Sequence, residues 1–139
     1  MILLDTSGLF AALVETEVDH QGVNEVLQHE QGPFLLSPFV ICEIDYLLRT
    51  ATTVDAEIEF LREVANGSYT VPTFGLAEIA DAVDVIERYR DLGIGIADAS
   101  LVVLAGRHGT NRLLTLHERD FRVLRTPAGG PFTLLPADA

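Results

Sequence analysis

Four carboxylates stand where an α/β protein could do chemistry. Asp5 directly follows the apolar run Ile2-Leu3-Leu4, Asp98 follows Gly93-Ile94-Gly95-Ile96, and Asp120 comes shortly after Leu113-Leu114-Thr115. In open parallel sheets the ligand site lies beyond the carboxyl ends of the strands, and all three acids occupy that kind of position. Glu43 is the fourth and falls inside an apolar helical segment, with Phe39, Val40 and Leu47 at i−4, i−3 and i+4. An ionised carboxylate on such a face costs several kcal/mol unless it has a partner, so a solvated position is not expected for it. Carboxylates gathered at one sheet edge repel each other unless a cation neutralises them. Oxygen-only ligation selects hard ions such as Mg²⁺ or Mn²⁺, and Mg²⁺ commonly completes its shell with water and phosphate oxygens. That chemistry suits hydrolysis of a phosphodiester bond. Taken singly, Asp5 and Asp98 could simply cap the helices that follow them, and Asp120 could be an ordinary loop residue. The joint pattern is what points to a site. Asp45, with Arg49 four residues on, reads instead as an exposed ion pair.

Positioning these acids requires short strands alternating with helices. Ile2–Leu4 reads as a strand, and Asp5-Thr6-Ser7, all good N-cap residues, precede helically spaced Leu9, Phe10, Leu13 and Val14. Val23, Val26 and Leu27 mark a second, more polar helix over 19–29, broken by Gly32-Pro33. Phe34–Leu36 is a strand stopped at Ser37-Pro38, and Phe39–Leu48 is the apolar segment carrying Glu43. Val54–Ala65 and Leu76–Tyr89 have amphipathic helical spacing, with a plausible strand at Tyr69–Val71 between them. Ala99–Ala105 continues as an apolar helix, Leu113–Thr115 is a strand, Phe121–Leu124 a short element, and Phe132–Leu135 a last strand. The alternation predicts an α/β fold with a mostly parallel central sheet of four to five strands flanked by helices, residues 1–139 forming one domain.

Charge and composition narrow the function classes. The net charge is −12, with 21 acidic against 9 basic residues, which argues against a passive nucleic-acid binder. The balance is uneven: residues 1–106 carry 4 Arg and 18 Asp or Glu, whereas 107–139 carry 5 Arg and 3 acids. An acidic body with a locally basic end suits an enzyme that holds cations and still admits an anion. Cys42 is the only cysteine, which excludes a disulfide framework and points to a reducing cytoplasm; in its apolar helix it reads as inert packing. No apolar run is long enough for a signal peptide or membrane span. Every basic residue is arginine. Phosphorelay receivers and aspartyl-phosphate phosphatases also place Asp after the first strand, but as families they rely on a lysine. Gly93-x-Gly95 lacks the rest of a dinucleotide fingerprint, and no phosphate loop or nucleophile elbow is present.

Four segments together resemble the PIN-domain family. Ile2 to Leu9 is similar to its opening strand followed by Asp-Thr-Ser. Ser37-Pro38 through Glu43 to Leu48 resembles its Glu-bearing helix, Ile94 to Ser100 the segment with the third acid, and Leu113 to Phe121 the final motif. They occur in the family's order and span most of the chain. The resemblance implies a PIN-like three-layer α/β domain and, for a short chain, a VapC-type toxin of a VapBC toxin–antitoxin pair. It implies a Mg²⁺- or Mn²⁺-dependent endoribonuclease that leaves a 5′-phosphate, a homodimer, and inhibition by a small VapB-type antitoxin. A catalytically silent PIN module that binds RNA or protein is the alternative. Asp5 and Asp98 are expected to contact the metal directly, Glu43 and Asp120 to complete the acidic cluster, and Thr6 and Thr115 to orient carboxylates. One place departs from the pattern. Where the final motif often has an acid two residues after the Thr, this chain has His117, either a phosphate or proton-transfer contact or a tolerated loop residue. Arg112 and Arg119 are the expected phosphate contacts in the basic end.

Overall fold

The structure is a computed structural model that describes all residues, 1–139. Four strands, β1 (Ile2–Leu4), β2 (Phe34–Leu35), β3 (Arg112–Leu114) and β4 (Thr133–Leu135), form one parallel sheet in the order β2-β1-β3-β4. Leu3 lies between Leu35 and Leu113, and Leu113 pairs in turn with Leu134. Parallel sheets covered on both faces read as continuous apolar runs, and the apolar residues of β1, β3 and β4 are at most 2% exposed.

Seven helices flank the sheet: α1 (Thr6–Leu13), α2 (His20–Gln28), α3 (Pro38–Ala51), α4 (Val54–Ala65), α5 (Leu76–Arg88), α6 (Ile96–His108) and α7 (Glu118–Val123). From β1 the chain crosses to one neighbour, β2, and from β3 it crosses away to β4. The reversal lies between β1 and β3, the kind of place where α/β sheets bind ligands. Asp5 ends β1 and Thr115 follows β3, so both border that crevice. Close packing there has a sequence cause. A Cβ on Gly8 would meet Leu114 Cγ at 2.7 Å and the Leu114 carbonyl oxygen at 2.8 Å, so only glycine lets α1 lie so near β3.

Expected and observed elements differ in three instructive places. Tyr69–Val71 is not a strand: Thr70 makes a single bridge to Leu35, and Pro72, which has no N–H, follows almost at once. α6 starts at Ile96 rather than Ala99, with Gly95 as N-cap, so Asp98 stands inside its first turn. The short element near the end is a helix beginning at Glu118, which puts Asp120 in its first turn and not in a loop.

Candidate active site

Asp5 is anchored at the crevice. It is 3% exposed, its backbone N–H donates to the Leu114 carbonyl at 2.9 Å, and its Oδ2 accepts from Thr115 Oγ1 at 2.6 Å and Ser7 Oγ at 3.0 Å. Those hydroxyls are held in turn: Ser7 Oγ accepts from the Leu116 N–H, and Thr115 Oγ1 from the His117 N–H. Oδ1 has no hydrogen-bond partner, yet no buried side-chain oxygen in the protein lacks one. It therefore opens onto the adjoining cleft. Asp5 occupies the N-cap position of α1 without making a side-chain cap bond, so its carboxylate is not committed to the helix.

Three further acids approach from different elements. Asp98, at the third position of α6, makes no hydrogen bond. Its carboxyl is pushed up from the usual 3.8 to about 6, first by burial and then by the carboxylates of Asp5, Glu43 and Asp120, with His117 pulling the other way. That ordering places all four acids and the histidine in one electrostatic neighbourhood. Glu43 Oε1 accepts from Thr6 Oγ1 at 2.5 Å, so α3 is tied to the start of α1. Asp5, Ser7, Glu43, Asp98 and His117 line a cleft of about 660 Å³, together with Phe10, Tyr46 and Cys42. Asp120 stays outside that lining, in the first turn of α7 beside it.

Several sequence expectations need correction. Glu43 is exposed, not sequestered: the buried row of α3 is Val40, Ile44 and Leu48, and Glu43 rises beside it into the open cleft. Cys42 is exposed at the cleft rim rather than packed. Arg49 turns from Asp45 to Glu57 at the start of α4, 3.7 Å away, because helix packing brings a second carboxylate within reach. Arg112 stands at the amino end of β3, about 10 Å of strand away from the acids, and is ion-paired with Glu30. Arg119 is exposed next to Asp120 and forms no ion pair. Ser7 is the residue sequence reasoning undervalued. Its position two after Asp5, within a hydroxyl-rich turn, is the signal that could have found it.

The donor set fits a hard divalent cation. All four acids offer oxygen, the buried one has a free oxygen toward the cleft, and their mutual repulsion is uncompensated by any lysine or arginine among the lining residues. No three of these side chains converge on one point, so an ion held here would draw the rest of its shell from water or phosphate oxygens.

A parallel sheet with acids at the β1/β3 crevice defines the class. The chain belongs to the PIN domain family, whose model matches residues 2–126. It is 43% identical over 135 residues to Ribonuclease VapC26 of Mycobacterium tuberculosis, a match covering 97% of this chain and all of that protein. Among solved structures it resembles Mycobacterium tuberculosis VapC20, a sarcin-ricin-loop-cleaving toxin. The TM-score is 0.76 at 16% identity, covering 81% of this chain and 87% of that one. It also resembles a chain of DNA-bound VapBC from Salmonella typhimurium, with a TM-score of 0.69 at 15% identity over 96% of both chains. No helix is long and apolar enough to cross a membrane.

Proposed function

We propose that this protein is a metal-dependent endoribonuclease, the toxin half of a VapBC-type pair, acting in the cytoplasm. The observation that carries the reading is the gathering of Asp5, Glu43, Asp98 and Asp120 around one cleft, where the Asp98 side chain makes no hydrogen bond and its carboxyl is raised first by burial and then by the other three carboxylates. The 43% identity to a ribonuclease over nearly the whole chain supports it.

Asp5, through its free Oδ1, and Asp98 would hold Mg²⁺ or Mn²⁺, with Glu43 and Asp120 completing the negative field. When bound, such an ion offsets charge on the scissile phosphate and the leaving oxygen and lowers the pKa of a water. The protein's own part is preorganisation. Thr115 and Ser7 fix Asp5 in one rotamer, and Thr6 fixes Glu43, so the carboxylates need not reorganise when the polyanion arrives. His117, at the rim, can donate to a substrate phosphate when protonated. Phe10, Tyr46 and Leu47 give the same cleft an apolar flank, suited to an antitoxin segment that sets a basic side chain against the acids. A homodimer is the assembly we assign to it.

The test is cleavage of structured RNA by purified protein. Activity should require Mg²⁺ or Mn²⁺ and disappear both in EDTA and in Asp5→Asn. Equal cleavage in excess chelator would overturn the carboxylate mechanism. Co-expression with a small neighbouring gene should yield a stable complex and relieve growth arrest.

A further inference from the structure

Arginine pairing is uneven over the surface. The ion pairs engage Arg49, Arg90, Arg107, Arg112 and Arg122. That leaves Arg62, Arg88, Arg119 and Arg125 without a carboxylate. Arg88 and Arg125 line a second cleft, of about 460 Å³, between α5, α6 and the segment 125–127, a size within the range of about 300–1,000 Å³ usual for ligand sites. Most charged groups there are already engaged. Arg107 binds Asp81 at 2.8 Å, Arg125 donates to the carbonyls of Arg122 and Leu124 at the end of α7, and the Tyr89 hydroxyl accepts from the Arg125 N–H at 3.2 Å. Arg88 and Asp84 are different. They stand one turn apart on α5 and line the same cavity, yet neither side chain makes a hydrogen bond or ion pair.

An unpaired guanidinium, an unpaired carboxylate and an aromatic side chain in one cleft match the three chemistries of a nucleotide: phosphate, amino or imino donor, and base face. The position also fits. Val102 lines the cleft four residues beyond Asp98 on α6, about 6 Å along the helix. On the other side Val123 and Arg88 line a shared open surface, and Arg119 stands one turn before Val123 on α7, next to Asp120. In a chain of net charge −12, an uncompensated guanidinium is where a polyanion can be held.

We propose that this cleft holds one nucleotide of the RNA strand a few positions from the scissile bond. Arg88 takes the phosphate and Asp84 accepts from the base. The proposal rests on the nuclease reading above, which gives the cleft its ligand class. Its test is fluorescence anisotropy of labelled rA, rC, rG and rU 12-mers in EDTA, where cleavage is off, at several salt concentrations. Arg88→Gln and Asp84→Asn change exposed side chains without partners, and unchanged thermal melts should verify their folds. Arg88→Gln should weaken binding of all four oligomers about 10-fold and reduce the log–log salt slope by about 0.7. Asp84→Asn should leave that slope alone and shrink the spread of affinities among the four oligomers, whose bases present different amino and imino donors to a carboxylate. Wild-type affinity and slope in Arg88→Gln would overturn the proposal, as would unchanged base preference in Asp84→Asn or no binding of any 12-mer by the wild type. Cleavage by the wild type in Mn²⁺ is scored separately, so a failed nuclease reading and a failed cleft assignment give different results.

Discussion

Replacing Asp98 by asparagine should stabilise the metal-free protein at pH 8 and leave it unchanged at pH 4. The side chain makes no hydrogen bond that the amide would lose, and its ionisation is opposed by burial and by Asp5, Glu43 and Asp120. Its folded-state pKa, about 6, lies above the unfolded value near 3.8. Raised in this direction, the carboxyl is little burden at pH 4, where it is protonated in the fold and close to half-protonated in the unfolded chain. Between about pH 4 and 6 the folded protein holds a proton that the unfolded chain has released, so wild-type stability falls as pH rises through that window. At 1.36 kcal/mol per pH unit the gap corresponds to about 3 kcal/mol, and solvent screening of an open cleft reduces it to about 1–2 kcal/mol. For a chain of this size that is a rise in Tm of roughly 3–8 °C. Thermal melts of wild type and Asp98→Asn in EDTA from pH 4 to pH 8 measure it directly. Adding Mg²⁺ or Mn²⁺ at pH 8 should then raise the wild type more than the variant, because the ion binds the folded carboxylates. An Asp98→Asn protein no more stable than wild type at pH 8, or a difference independent of pH, would refute the reasoning.

Other perturbations probe the supports of the site. Gly8→Ala should cost about 1–3 kcal/mol in urea unfolding, because its Cβ meets Leu114 backbone atoms within 2.9 Å; an unchanged midpoint would mean α1 can shift freely. Thr115→Val removes the 2.6 Å bond to Asp5 and leaves the His117 N–H unpartnered. Activity or metal affinity should fall about 10–100-fold, and a wild-type titration would show that Ser7 suffices. Asp120→Ala should cut cleavage at least about 10-fold and His117→Ala less, since a divalent ion needs negative neighbours and neutral imidazole adds none. The reverse order would move the fourth position of the cluster to His117.

What the sequence determined by itself was local. Short apolar runs next to turn-forming groups marked β1, β3 and β4, because strands buried on both faces need no polar alternation. Asp5 and Asp98 stood out because of where those strands and turns end. Arg112 could have been set aside on the same grounds, since it opens its strand whereas Asp5 and Asp120 come after theirs. The tertiary structure alone decided the partners. Ser7 and Thr115 meet on Asp5 although 108 residues separate them, and no local preference encodes that distance. Arg49 chose Glu57 over Asp45 only once α4 lay against α3. Glu43 and Cys42 proved exposed because helical spacing states which residues share a face, whereas packing states which face is covered. The upward shift of Asp98 belongs wholly to the fold: it arises from burial and from carboxylates of three other elements, brought together where β1 and β3 part.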